Sequence, residues 1–250
     1  MLIEHIKVLG CQSVTITGGG EPVMHHDFNE IVRHFVKCGI QVGLVTNGML
    51  LDKVEPDVLN LLTWCRISCA DEREFRGTFL NRVSNAVIDA SSVDWAFSYV
   101  LSDEPSVDNL IRHIAFAYTH NFTHVRIVSD LLHVGDSKID EVRKQVEKVV
   151  NTTQVIWQGR KEFTKGSKRC NISLLKPVIG PDGMITPCCG VQYATEVPSL
   201  DLTKSMEMGH WRSMASMFCY DGSNCFRCYY SEYNTALEAM LGKINHIAFV

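Results

Sequence analysis

Residues 13–28 read "SVTITGGGEPVMHHDF". A β-branched run opens the stretch, three glycines and a Glu-Pro pair follow, and an aspartate stands before a helical period. The pattern predicts a buried strand over 13–17, a turn, and a helix from Phe28. Glycine has no Cβ, so Gly18, Gly19 and Gly20 let main-chain groups approach a ligand directly. A phosphate loop uses a similar turn, and a nucleotide-binding β/α protein is therefore a rival reading. No Gly-Lys-Ser/Thr follows, however, and Pro22 with two histidines replaces an anion-greeting helix start. Asp27 is placed to cap the helix, with Glu30 completing a capping box.

The same rhythm runs outward from this stretch. A helix is expected over 2–9, with Leu2, Ile3, Ile6 and Leu9 on one face, and Gly10 stops it. Helix 28–38 ends at Gly39, and "QVGLVT" (41–46) is the next strand. A helical stretch around 55–63 leads to a strand over 65–70. Helices over 79–90, 106–120 and 137–150 then alternate with strands over 94–101, 124–129 and 153–158. Strand–helix repeats of this length predict parallel β/α units with right-handed crossovers. The expected fold class is α/β, and in such architectures function gathers at the C-terminal strand ends.

After residue 158 the texture changes. "GRKEFTKGSKR" (159–169) is polar and net basic without an apolar period. It reads as a solvated exit from the β/α domain, or else as a loop near an anionic substrate. The expected domains are thus 1–158 and 159–250, the second closed by a helix over 229–243.

The chain has 250 residues, 46% hydrophobic and 21% charged, enough for one large domain plus a small one. A net charge of −4 gives no basic field for nucleic acid or an anionic membrane. No membrane span and no signal-peptide layout are visible, so a cytoplasmic location is expected. Ten cysteines are unevenly placed. Cys11, Cys38, Cys65 and Cys69 lie in apolar surroundings and read as small buried hydrophobes. Cys170, Cys188, Cys189, Cys219, Cys225 and Cys228 crowd the last third. In a reducing compartment such a cluster points to metal.

"TGGGEPVMHHDF", then "VTNG" (45–48), then "RISCAD" (66–71), at successive strand ends, resemble the radical S-adenosylmethionine (radical SAM) superfamily. The resemblance extends through "EREFRGTFLNRVSNAV" and "THVRIV", covers roughly residues 1–158, and implies a partial (β/α)6-type barrel missing its first strand, followed by a small cysteine-rich domain. It implies that Gly19, Gly20 and Glu21 hold the methionine end of S-adenosylmethionine and that Thr46 and Asn47 line the same cavity. Ser68 and Arg126 are further candidates, for its carboxylate or ribose. Adjacent positions are not expected to point the same way, and the family has a His-Pro-Asp-Phe turn near the place of His25 and His26, so these two read as a turn rather than metal ligands.

One departure is large. The family's CxxxCxxC, whose three thiolates hold the catalytic [4Fe–4S] cluster, belongs to a loop before the helix at 2–9. Cys65 and Cys69 have part of that spacing, but Glu72 stands where the third cysteine belongs. The expectation is a fragment, a wrong start, or a segment supplied by another chain, and no activity from this chain alone. Catalytic residues are not assigned.

In the last third, Cys170 precedes Gly183 by twelve intervening residues, Cys188 follows after four more, and Cys225-x-x-Cys228 comes later. A Pro-Asp-Gly turn at 181–183 predicts a hairpin delivering Cys188 near Cys170. The arrangement resembles the SPASM or twitch extension of radical SAM proteins, which implies that Cys170, Cys188, Cys225 and Cys228 hold an auxiliary [4Fe–4S] cluster. Cys189 and Cys219 are spares. A zinc site with four cysteine ligands, in a non-catalytic binding module on a degenerate barrel, is the alternative. The resemblance further implies a peptide or small polar substrate and an electron donor such as ferredoxin or flavodoxin.

Overall fold

The computed structural model describes residues 2–70, 77–102, 104–129, 137–150, 154–159, 165–191, 206–214, 218–225, 228 and 230–243. Two compact units emerge, residues 3–160 and 161–250.

In the first unit, α1 (Leu2–Val8), β1 (Ser13–Ile16), α2 (Phe28–Lys37), β2 (Gln41–Thr46), α3 (Pro56–Leu59) and β3 (Trp64–Ala70) follow one another. Then come α4 (Gly77–Asp89), β4 (Asp94–Leu101), α5 (Val107–Thr119), β5 (His124–Ser129), α6 (Ser137–Val146) and β6 (Val155–Gln158). The six strands pair in sequence order and all pairs are parallel, forming an open sheet. Every strand expected from the sequence is present. The "TQVIWQ" strand begins two residues late, its first residue lying outside the described ones.

Alternation along the strands sorts the two faces. Val42, Leu44, Cys65, Ile67, Cys69, Trp95, Phe97, Tyr99, Val125 and Ile127 are buried and form the core with residues of α2, α4, α5 and α6. Cys11 and Cys38 pack against that core, so all four scattered cysteines are apolar packing groups. The opposite, inner face bears Trp64, Arg66, Ser68, Ser98, His124 and Arg126, each with some exposure. Trp64 lies across Gly43 of the neighbouring strand, and a Cβ there would overlap the indole.

Three local expectations are corrected. Asp27 makes no side-chain cap bond: its carboxylate pairs with His26 at 2.9 Å, Glu30 pairs with Arg33, and His25 Nδ1 accepts from the Asp27 amide at 3.1 Å. The helix expected around 55–63 is only the four-residue α3, because Asn60 Nδ2 donates to the Pro56 and Asp89 carbonyls and the chain turns there. His25 and His26 do point the same way, their rings stacked at 4.8 Å.

In the second unit, α7 (Ile172–Leu175) precedes β7 (Val178–Ile179) and β8 (Met184–Thr186), the expected antiparallel hairpin. Gly183 turns it with φ +83°, a left-handed value that favours glycine. β9 (Gly209–His210) pairs with β8, and α8 (Ser231–Lys243) closes the unit. Ile185, Met208 and Met214 form its small core.

Candidate functional site

At the end of β1 the chain runs through Gly18–Gly20 into Glu21, which caps a single 3₁₀ turn over Pro22–Met24. Glu21 is the centre of a tie between two strand ends. Its Oε1 accepts from Thr46 Oγ1 at 2.6 Å and from the Val23 amide at 3.2 Å, and Oε2 accepts from the Asn47 amide at 2.7 Å. Thr46 Oγ1 in turn accepts from the Gly48 amide at 3.0 Å, and Asn47 Oδ1 from the Met49 amide at 2.9 Å. Gly48 adopts φ +74°, and a Cβ would stand 2.9 Å from the Phe79 ring. The "VTNG" glycine is therefore required by both backbone and packing.

Among the described residues nothing bonds the amides or carbonyls of Gly18, Gly19 and Gly20. A Cβ on Gly20 would meet no atom within 4 Å. Exposed main-chain donors and acceptors beside a fixed carboxylate suit a zwitterionic amino-acid group. Thr46 itself is buried, and its hydroxyl donates to Glu21 and accepts from the Gly48 amide. Ser68 and Arg126 stand level on the inner face, each registered with Ser98 between them. Arg126 Nε donates to Gln158 Oε1 at 2.7 Å.

The second unit brings four cysteines to one pocket. Cys170, Cys188, Cys225 and Cys228 line it together with Gly166, Gly222, Tyr230 and Asn234. Backbone pairing holds the walls: Cys170 N donates to Tyr220 O at 2.9 Å and Gly166 N to Cys225 O at 2.8 Å. A Cβ on Gly166 would stand 2.7 Å from Cys225 Cβ and overlap the Gly222 carbonyl. Asn234, fully buried, accepts from Ile172 N at 3.2 Å and turns its amide to Cys170 Sγ at 3.9 Å. Burial pushes the Cys188 thiol up to about 12 and Cys225 up to about 11, and neighbouring cysteines add to both shifts. Burial first, then Cys170, raises Cys228 as well. Such thiols stay neutral near pH 7 until a metal displaces their protons. Cys189 is exposed against the Tyr230 hydroxyl at 3.2 Å, and Cys219 reaches Asn171.

No family model matches the sequence. A 50-residue stretch, 20% of this chain, is 36% identical to 18% of an S-adenosylmethionine-dependent nucleotide dehydratase of Selenomonas ruminantium. Among solved structures, Streptococcus suis SuiB bound to its precursor peptide SuiA superposes with TM-score 0.56 at 14% identity, over 76% of this chain and 52% of SuiB. SuiB bound to S-adenosylmethionine gives 0.54 at 14% identity, over 80% and 58%. At this identity the likeness to SuiB is one of fold. The chain spans little more than half of SuiB, and the matched stretch under a fifth of the dehydratase.

Within this fold the glycine turn and the "VTNG" turn occupy adjacent strand ends, and Glu21 joins them. Sequence reasoning missed Trp64, Arg66 and His124. Arg66 stacks over the Trp64 ring at 5.5 Å, and His124 is one register step from Arg126 on β5. Strand alternation placed all three on the inner face, and that signal was available. Asn234 was also missed, since an asparagine in a closing helix carries no mark of its partner. Among the described residues no helix is long and apolar enough to cross a membrane.

Proposed function

We propose that the chain carries the cofactor-gripping strand ends and substrate face of a radical SAM enzyme, with an auxiliary [4Fe–4S] site at Cys170, Cys188, Cys225 and Cys228. The observation that carries this is the Glu21 tie, which fixes the open backbone of Gly18–Gly20 beside Asn47. S-adenosylmethionine bound there would, with a catalytic [4Fe–4S] cluster, supply hydrogen-abstracting radical chemistry toward a substrate. Gly19, Gly20 and Glu21 hold its methionine end, Thr46 and Asn47 line the same cavity, and Ser68 and Arg126 serve its carboxylate or ribose. A peptide substrate is supported by the SuiA-bound form of SuiB, and a small polar metabolite by the name of the dehydratase. Electrons come from a ferredoxin or flavodoxin.

A cluster suits the cysteine pocket better than one zinc ion. Four thiolates on zinc, at about 2.3 Å each, stand about 3.8 Å apart. Among the described residues no three of these sulfurs lie within 4.8 Å of one another. A polynuclear cluster spreads its ligands more widely.

Two measurements test the reading. Anaerobically reconstituted protein should be brown with roughly four iron per chain, and Cys225→Ala with Cys228→Ala should abolish the colour while Cys38→Ala keeps it. A colourless protein with stoichiometric zinc would assign the binding-module alternative. These 250 residues, having no CxxxCxxC, should make no 5′-deoxyadenosine with dithionite and cofactor until a segment bearing that motif is supplied. Turnover by the chain as it stands would show that the cysteines are misassigned.

A further inference from the structure

Helices α1 and α2 of the first unit bring together a set of metal-ligating side chains that the cofactor reading does not use. Glu4 Oε1 on α1 and His34 Nε2 on α2 stand 2.8 Å apart. Cys38 follows His34 by four residues, and its amide donates to the His34 carbonyl at 3.0 Å, so both side chains share one face of the helix end. The carboxylate oxygen, ring nitrogen and thiol sulfur all lie within 4.8 Å of one another. A glutamate–histidine pair alone accounts for the short contact. The third donor, a sulfur one helical turn along, completes a mixed oxygen, nitrogen and sulfur set.

That set matches a borderline-soft divalent ion of the zinc class. Bond lengths of about 2.0–2.3 Å put tetrahedral zinc ligands about 3.3–3.6 Å apart. The Glu4–His34 pair need open by only about 0.5 Å and the sulfur approach by at most about 1.5 Å, which small side-chain rotations supply. Cys38 packs against the core but stays half-buried, and the Glu4 and His34 side chains are 49% and 35% exposed. An ion therefore has a path from solvent, and the fourth position falls to water. The end of α2 is favourable ground, since the carbonyl end of a helix attracts a cation. Lys7 brings a competing charge, its Nζ standing 4.0 Å from where a Cβ on Gly39 would lie. Carboxylate and thiolate together neutralise a divalent ion, so the loaded site is neutral beside that ammonium.

The role of such a site follows from α1. None of its side chains is buried, and Ile3 and Ile6 only partly cover the core. A metal shared with His34 and Cys38 ties this shallow helix to its neighbour. We propose that Glu4, His34 and Cys38 form a mononuclear zinc site, with water as fourth ligand, that clamps α1 to the end of α2. Binding releases the Cys38 thiol proton. The proposal is independent of the radical SAM reading and of the four-cysteine pocket.

The test titrates zinc chloride into the metal-free full chain and follows each cysteine by N-ethylmaleimide labelling and peptide mass spectrometry, which separates Cys38 from the pocket thiols. Zinc should slow labelling of Cys38 saturably, by about tenfold or more, because a metal-held thiolate is not free to attack. Magnesium should not. Glu4→Ala and His34→Ala should each remove the protection at Cys38 while leaving unchanged whatever effect zinc has at Cys225 and Cys228. Hydrogen exchange of the α1 amides gives a second readout, which zinc should slow in wild type and not in Cys38→Ser. Near-ultraviolet circular dichroism checks that each variant is folded. Labelling of Cys38 that ignores zinc, protection without saturation, or protection that persists in both folded variants would overturn the site. So would exchange at α1 that zinc leaves as it was.

Discussion

Glu21 meets three donors of its own chain, at Val23, Thr46 and Asn47. Hydrogen bonds to a charged group contribute about 1.5–3 kcal/mol each, less where water competes. Glu21→Ala should therefore cost about 2 kcal/mol and speed hydrogen exchange at the Asn47 and Gly48 amides, with Glu21→Gln between the two. Equal exchange in all three proteins would show that the tie does not form in solution. The glycines, glutamate and proline were legible as a strand-end device because those residue types seldom occur together elsewhere. The role of Glu21 as a tie was not, since its partners lie 25 and 26 residues further on. Asp27 shows the converse. Its residue type is right for a cap, but His25 and His26 compete for its amide and carboxylate, and residue type alone does not decide such a contest.

At the level of elements the β/α alternation was readable throughout. Apolar runs of strand length and helices of period 3.6 remain distinct when each element buries one face against the same core. The overlong helix at 55–63 failed because a side chain captured the carbonyls that mark its end. Packing between strands was beyond the sequence, and the Gly43–Trp64 contact is the clearest case. Gly43→Ala should destabilise by about 1–3 kcal/mol, because its Cβ would overlap the indole, which must shift to admit it. Trp64→Leu in the same chain should recover most of that loss, so the double variant should denature near the single Trp64→Leu variant. Strict additivity of the two changes would mean that the indole does not lie across Gly43.

For the molecule as a whole, the buried thiols set a pH dependence whose direction reverses on metal loading. In the metal-free chain Cys188 and Cys225 titrate at about 12 and about 11 instead of 9.0. A group raised on folding stabilises the fold fully below its unfolded value, and that contribution disappears as pH climbs through the folded value. Metal-free protein should accordingly lose stability from about pH 9 upward, with Cys65, raised by burial and then by Glu21, acting in the same direction. Metal loading displaces the thiol protons and should tighten as pH rises over the same range. Denaturation midpoints of metal-free and loaded protein should therefore diverge with pH. Parallel curves would remove the cysteine pocket as the loaded site.

Cys65 and Cys69 sit in the core of the first unit at 0% and 4% exposure, and Cys170 sits in the second at 9%. Cys189 is open to solvent. An alkylating reagent thus meets a graded series of thiols: Cys189 reacts from the native state, whereas the others wait for the unit around them to open. Pulse labelling followed by peptide mass spectrometry would time the opening of each unit separately, using reporters the chain already contains.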